Sequence, residues 1–372
     1  NKVLAAPGSK SITNRALMLA ALSDGPCTLE GVLFSADSRH FLKCLQDLGY
    51  EVTICEESHR VTVIGCDGHI PKKEASIYVG SAGTAARFLT AMLGMSHGIY
   101  HLDASPQMQR RPMAPLLESL RNLGCKITCH EREGYFPFTL EADGVAAPEC
   151  TVDIGDSSQF LSALLMAAAK LDHDFTVHIT GSHGLSYIRM TMLMMRQFGA
   201  DVDMQDEHTY IVHGGSSYKA VSYQIEPDVS AAAYFYSMAA ISGGTVLVPN
   251  VHFDSLQGDI QLIGTLTDMG CSAVDTPEGI RLTGPEKGLL KGLAIDMSSF
   301  SDQALTIGAI APYADSPVTI QNVGHIRLQE SDRMAAIVTN LGAMGIQAQI
   351  EGNDIIIHPG SPRPALVETY DD

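Results

Sequence analysis

Apolar residues recur every three or four positions in five stretches, each closed by a bulky residue, a glycine and a strand-like run. The stretches are LKCLQDLGYEVTI, LESLRNLGCKITC, MLMMRQFGADVDM, LIGTLTDMGCSAV and VTNLGAMGIQAQI. Their glycines, Gly49, Gly124, Gly199, Gly270 and Gly345, are separated by 75, 75, 71 and 75 residues. Glycine in that place predicts the left-handed stop of a helix, a conformation it adopts without a Cβ clash. A period held over five copies predicts an internal repeat.

A second series alternates with the first. Polar residues open runs of small and apolar residues at SKSITNRALMLAAL, SAGTAARFLTAML, SSQFLSALLMAAA, DVSAAAYFYSMAAI and SDQALTIGAIA. The opening residues Ser9, Ser81, Ser157, Asp228 and Ser301 are spaced by 72, 76, 71 and 73. Ser and Asp suit the N-cap, and small side chains suit a helix packed in an interior. Runs such as VTVIG, TVLVP, PVTIQ and DIIIHP predict the strands between. Each unit is therefore expected to be an α/β module with two helices and several strands. A sixth polar helix start would fall near the last residue, Asp372, so about five of six units are expected. Three units plus three would make two domains, with a crossover at Pro227-Asp228.

Composition narrows the function. The 372 residues are 45% hydrophobic and 18% charged, which predicts a globular protein. Lys and Arg number 24 against 42 Asp and Glu, a formal charge of −18, the opposite of a general nucleic-acid binder. An anionic ligand must then be held by a local cluster of cations. No unbroken apolar run has membrane length; Val229–Phe253, free of formal charge, is broken by Ser, Gly, Pro, Asn and His. The eight cysteines include no CxxC pair, and strand alternation puts Cys125 and Cys129 on one face. Free thiols in a reducing cytoplasm are expected, and no metal site. The first residue is Asn, from which a trimmed N-terminus is expected.

Candidate chemistry gathers at the small-residue helix starts, where free N–H groups and the helix dipole favour anions. The first start adds Lys10, Ser11 and Arg15; cations there oppose the dipole and need another reason to be present. The second, GSAGTAAR, has glycines that admit a ligand to the backbone, and Thr84 adds a hydroxyl. The third offers Ser157, Ser158 and Gln159, and the fifth places Asp302 at its start. Arg110 and Arg111 precede a further helix, and HIRLQESDRMAAI sets Arg327, Glu330, Asp332 and Arg333 around another, with Ser331 its expected cap. GSKS lacks the spacing of a phosphate-binding P-loop.

Taken in order, PGSKSITNRAL, GSAGTAARF, the RRP segment, SSQFLSALLMAA, SDQALT and IRLQESDRM resemble the 5-enolpyruvylshikimate-3-phosphate synthases over nearly the whole chain. The resemblance implies a two-domain inside-out α/β barrel of βαβαββ units, here residues 9–227 and residues 1–8 with 228–372. It implies a cytoplasmic monomer with no cofactor and no metal, acting on shikimate 3-phosphate and phosphoenolpyruvate in aromatic amino-acid biosynthesis. It assigns Lys10, Ser11, Arg15, Ser157, Ser158, Gln159, Tyr187, Asp302, His325 and Gln329 to the shikimate side. Lys10, Ser81, Gly83, Thr84, Arg111, Gln159, Glu330 and Arg333 fall to the phosphoenolpyruvate side. Asp302, Glu330 and Lys10 are the implied catalytic groups.

Departures from the family pattern are Ser81 where Asn is usual, Gln329 where Lys is usual, and Gly184-Leu185-Ser186-Tyr187 for Ser-x-Pro-Tyr. The family also continues beyond Asp372 with an Arg and a Lys, so a molecule that truly ended at Asp372 is expected to be weakly active or inactive. Two alternatives stand beside this reading. The UDP-N-acetylglucosamine enolpyruvyl transferases share the fold but carry Lys-Asn at the first helix and usually a loop Cys; here the pair is Lys10-Ser11 and Ser105–Pro112 has no Cys. The other is a catalytically impaired, anion-binding repeat protein.

Overall fold

The computed structural model describes residues 2–181, 184–215, 217–286 and 290–372. The chain divides into two compact units, Gly8–Glu226 and Asn1–Pro7 with Pro227–Asp372.

Every described sheet has four strands and one connectivity. In Gly8–Glu226, Glu74–Tyr78 pairs parallel with His97–Asp103, which pairs antiparallel with Phe138–Asp143, itself antiparallel to Lys126–Cys129. The sheet of Glu149–Asp153, Phe175–Thr180, Thr209–Val212 and Val202–Asp206 repeats this order. The remaining sheet takes its parallel strand, Ser222–Gln224, from the end of the unit and sets it beside Pro26–Glu30. The other unit follows the same rule. Lys2–Val3 lies parallel to Thr245–Pro249, and Ala294–Asp296 parallel to Val318–Gln321. The fold is thus a repeated βαβαββ module, with two sheets completed by a strand distant in sequence.

The five periodic glycines end helices as expected, with φ of 93°, 100°, 97°, 106° and 80°. At each, the following residue donates its N–H five residues back: Tyr50 to Leu45, Cys125 to Leu120, Ala200 to Met195, Cys271 to Leu266 and Ile346 to Leu341. Both side chains of every pair are buried, which adds the apolar contact of this helix stop.

The small-residue helices lie inside. Lys10–Leu22 is buried from Ile12 onward, Gly83–Gly94 throughout, and Gln159–Ala168 from Phe160 onward. A helix apolar on all sides belongs in an interior. Ala36–Asp47, Ala114–Asn122 and Leu185–Gln197 bury one side only. In the other unit the matching helices, Val229–Ser242 and Ala304–Ile310, leave Tyr234, Met238 and Leu305 exposed.

Caps depart from expectation at several starts. Ser9 accepts from the Ile12 amide at 3.4 Å, and Asp228 from Ala231 at 3.0 Å. Ser81 is no cap: the helix begins at Gly83 behind Ala82, without a side-chain cap. The third helix also lacks one, although Ser157 Oγ accepts from the Gln159 amide at 3.2 Å. Ser301 begins a one-turn 3-10 segment, Ser301–Gln303, ahead of the α-helix. The Arg333–Ala343 helix is capped by Asp332, whose carboxylate accepts from Ala335 at 3.0 Å, and not by Ser331. A carboxylate is the stronger acceptor toward a helix N-terminus, and the Ser331 hydroxyl is turned to Asp372 at 2.7 Å.

Candidate functional site

Each unit holds one constellation of the sequence-predicted residues. In Gly8–Glu226 it lies at the N-terminal ends of the buried helices. Arg15 sits one turn past Ser11, and its stem enters the interior; the residue is 1% exposed. Its Nε donates to Thr191 Oγ1 at 2.7 Å, and its Nη groups donate to the Ser11 carbonyl at 3.1 Å and the Tyr187 carbonyl at 3.4 Å. The guanidinium also stacks against Phe88 and Tyr187 at 5.4 and 5.9 Å. No carboxylate pairs with Arg15 among the described residues. Burial pulls its pKa down to about 10, with the Tyr187 hydroxyl working the other way. The half-exposed ammonium of Lys10 lies 3.7 Å from Asp37.

Polar side chains inside the helices stitch the three starts together. Asn14 Nδ2 donates to Thr84 Oγ1 at 2.7 Å. Arg87, 2% exposed, donates to the Gly83 carbonyl and to Gln159 Oε1, both at 3.3 Å. A Cβ on Gly83 would lie 2.7 Å from Arg87 Nη1 and 2.8 Å from Arg111 Nη1, so two guanidinia flank this glycine. Gly184, in the left-handed region at φ 60°, backs onto Ser158, whose Oγ would be 2.4 Å from an added Cβ. The structure therefore brings together Ser11, Arg15, Gly83, Thr84, Arg111, Ser158, Gln159 and Tyr187, with Ser157 at the third helix start. Ser81, half-buried, precedes the second helix.

Sequence reasoning missed Asn14, Arg87 and Thr191. Asn14 Oδ1 is buried with no hydrogen-bond partner among the described residues. The signal was present: a polar or charged side chain at a core-facing position of an otherwise apolar helix needs a reason.

The second constellation centres on Arg333. Its Nη1 donates to Asp302 Oδ1 at 2.9 Å and to Gln329 Oε1 at 2.6 Å. Glu330 lies 3.2 Å from Nη2, and Asp372 takes two hydrogen bonds of 2.8 Å. Burial alone would lower the Arg333 pKa; the Asp372 hydrogen bonds and the Asp302 and Glu330 charges outweigh it and raise the pKa. His325 lies 2.7 Å from Ser301 Oγ, and burial lowers its pKa although Asp302 opposes this. The structure thus brings together Asp302, His325, Gln329, Glu330 and Arg333. The arrangement offers carboxylates for proton transfer beside a guanidinium able to turn to an anion.

Comparisons with known proteins agree with one another. A family model described as EPSP synthase (3-phosphoshikimate 1-carboxyvinyltransferase) matches residues 1–372. The 3-phosphoshikimate 1-carboxyvinyltransferase of Trichormus variabilis is 42% identical, over 98% of this chain and 86% of its own. That of Sulfurovum sp. is 38% identical over the same shares. An EPSP synthase structure from Acinetobacter baumannii has a TM-score of 0.80 at 24% identity, covering 96% of this chain and 81% of that one. The enolpyruvyl transferase NikO from Streptomyces tendae has a TM-score of 0.72 at 16% identity, covering 96% and 82%. The last two likenesses concern the fold alone.

Proposed function

The chain belongs to the EPSP synthase family, and on that premise we propose which residues carry its reaction. It is a transferase of the shikimate pathway, and moves a carboxyvinyl group to 3-phosphoshikimate. The family match does not favour the sugar-nucleotide alternative.

Both substrates carry a phosphate and a carboxylate, so joining them is repulsive without compensating cations. Ser11, Arg15, Ser157 and Ser158 hold shikimate 3-phosphate, with Tyr187 against the ring and Gln159, Lys10 and Asp302 shared with the reacting groups. Gly83, Thr84, Ser81, Arg111, Glu330 and Arg333 hold phosphoenolpyruvate. His325 and Gln329 complete the shikimate side. Asp302 takes the 5-hydroxyl proton as that oxygen adds to C2 of phosphoenolpyruvate. Glu330, with Lys10, delivers a proton to C3 and removes one as phosphate leaves the tetrahedral intermediate. Holding the two substrates in contact supplies the proximity term.

The observation that carries this reading is Arg15: a wholly buried guanidinium, ringed by neutral acceptors, is a cation kept for an anion. Mixing the chain with shikimate 3-phosphate and phosphoenolpyruvate should release inorganic phosphate, and Asp302→Ala should abolish release while sparing substrate binding. Binding without release by the parent chain would instead favour an impaired anion-binding protein. The reading takes the enzyme as a cytoplasmic monomer. The eight cysteines are all free, as a reducing compartment requires, and sedimentation tests the monomer. Among the described residues no helix is long and apolar enough to cross a membrane.

A further inference from the structure

Behind the Asp302 turn lies a carboxyl that the reaction as drawn does not use. Asp259 sits in the one-turn segment Gly258–Ile260 and is 5% exposed. Its Oδ2 accepts from Gln303 Nε2 at 2.9 Å and from the Ser230 hydroxyl. Ser230 belongs to the first turn of the helix Val229–Ser242, and Gln303 directly follows Asp302. The neighbouring Gln257 braces the same helix start, accepting from the Val229 amide at 3.0 Å and donating to the Pro227 carbonyl at 2.7 Å. One buried carboxyl therefore ties a helix N-terminus to the turn that carries the candidate base.

The charged groups facing Asp259 are Asp302 on that turn and Asp228 at the helix cap. Both are acidic. Beyond them, Arg333 and Gln329 bond to Asp302, and His325 bonds to Ser301. Burial first, and the Asp302 charge second, raise the Asp259 pKa to about 7. Gln303 Oε1 is buried with no hydrogen-bond partner among the described residues. A half-turn of that amide would let it accept a proton carried by Asp259.

We infer that Asp259 is a positioning residue for the carboxyvinyl transfer: through Gln303 it fixes the turn that presents Asp302 to the substrate hydroxyl. The inference rests on the reading of Asp302 as the base. Protonated, Asp259 brings no second negative charge to the turn behind Asp302. Ionised, it places a like charge behind the base and loosens the turn.

Two variants test this with shikimate 3-phosphate and phosphoenolpyruvate as substrates. Asp259→Ala cuts the tie and should lower kcat about tenfold or more with each KM within about twofold. Asp259→Asn keeps the shape but cannot ionise, so its kcat relative to the parent should climb from about pH 6 to about pH 9. The pH-dependence ratio cancels the titrating groups that do not interact with Asp259. A flat ratio, or an alanine variant with the parent's kcat, overturns the inference; if the alanine variant fails to fold, the ratio alone decides. An activity-independent readout is the infrared carbonyl band of a protonated carboxyl in neutral solution. It should be present in the parent and absent from Asp259→Asn, and no difference between them overturns the inference. Asp302→Asn is measured alongside. Full turnover in that variant sinks the base assignment itself, whereas an inactive Asp302→Asn with a flat Asp259 ratio sinks only the positioning role.

Discussion

Arg15→Met removes the buried charge while keeping an apolar stem against Phe88 and Tyr187. Holding the guanidinium charged in the interior pulls its pKa down from its ordinary value to about 10. That shift corresponds to about 3 kcal/mol against the folded state. The sign is that of a cation whose folded pKa is depressed, so the penalty is present at every pH below about 10. Against it stand the hydrogen bonds to Thr191, Ser11 and Tyr187. At about 1 kcal/mol each, they offset the penalty. The unliganded variant should therefore unfold within about 1 kcal/mol of the parent, a shift of a few degrees at most. Ligand binding behaves differently. Taking one partner from a buried ion pair costs about 3–5 kcal/mol, so affinity for shikimate 3-phosphate should fall at least about a hundredfold. Titration calorimetry gives the affinity, and scanning calorimetry with and without ligand gives the stability. A variant that loses more than about 3 kcal/mol of stability yet binds shikimate 3-phosphate as tightly as the parent would show that Arg15 only braces helices, and the reasoning would fail.

Gly83→Ala forces a Cβ against Arg87 and Arg111. It should raise the KM for phosphoenolpyruvate about tenfold with shikimate 3-phosphate affinity within about twofold, and steady-state kinetics showing both substrates equally affected would count against the assignment of that glycine. Gly124→Ala meets no atom within 4 Å, so its left-handed φ alone is at issue, whereas Gly49→Ala also presses on Pro71 and Lys72 at 3.1 Å. Chemical denaturation should place the first about 1 kcal/mol below the parent and the second lower still. Burial lowers the His325 pKa below 6.5, so the folded state disfavours the charged ring and stability is lost as pH falls through that value. His325→Gln should lose less stability than the parent between about pH 7.5 and pH 5, and equal losses would show that another group is responsible.

Legibility followed the range of the interaction. The helix stops at Gly49, Gly124, Gly199, Gly270 and Gly345 could be read because a left-handed residue and its apolar pair are local in sequence. The helix starts could be read, but their caps only in part. Ser9 and Asp228 cap as expected; Ser81 and Ser301 do not, because the chain turns one or two residues later than the cap preference suggested. Arg15 could be picked out by type, yet its burial and its Thr191 partner, 176 residues away, could not. Asp259 carried no signal at all. Its role depends on Gln303, 44 residues on, and on the charge of Asp302, neither of which any local pattern encodes.

Net charge is a poor guide to where an acidic chain can hold an anion; local compensation decides. The guanidinium of Arg15 faces a hydroxyl and two carbonyls, all neutral. That of Arg333 already faces Asp302, Glu330 and Asp372. An anion reaching Arg15 gains a charge partner without displacing another, and it relieves a desolvated cation. An anion reaching Arg333 must first compete with carboxylates already bonded there, so only the difference between old and new partners contributes to binding. The two constellations therefore differ in kind. On the proposed reading the first holds an anion against a buried guanidinium that has only neutral acceptors around it. The second, on the same reading, is a proton-transfer cluster, in which an anion drawing Arg333 away would leave Asp302 and Glu330 without the counter-charge they share.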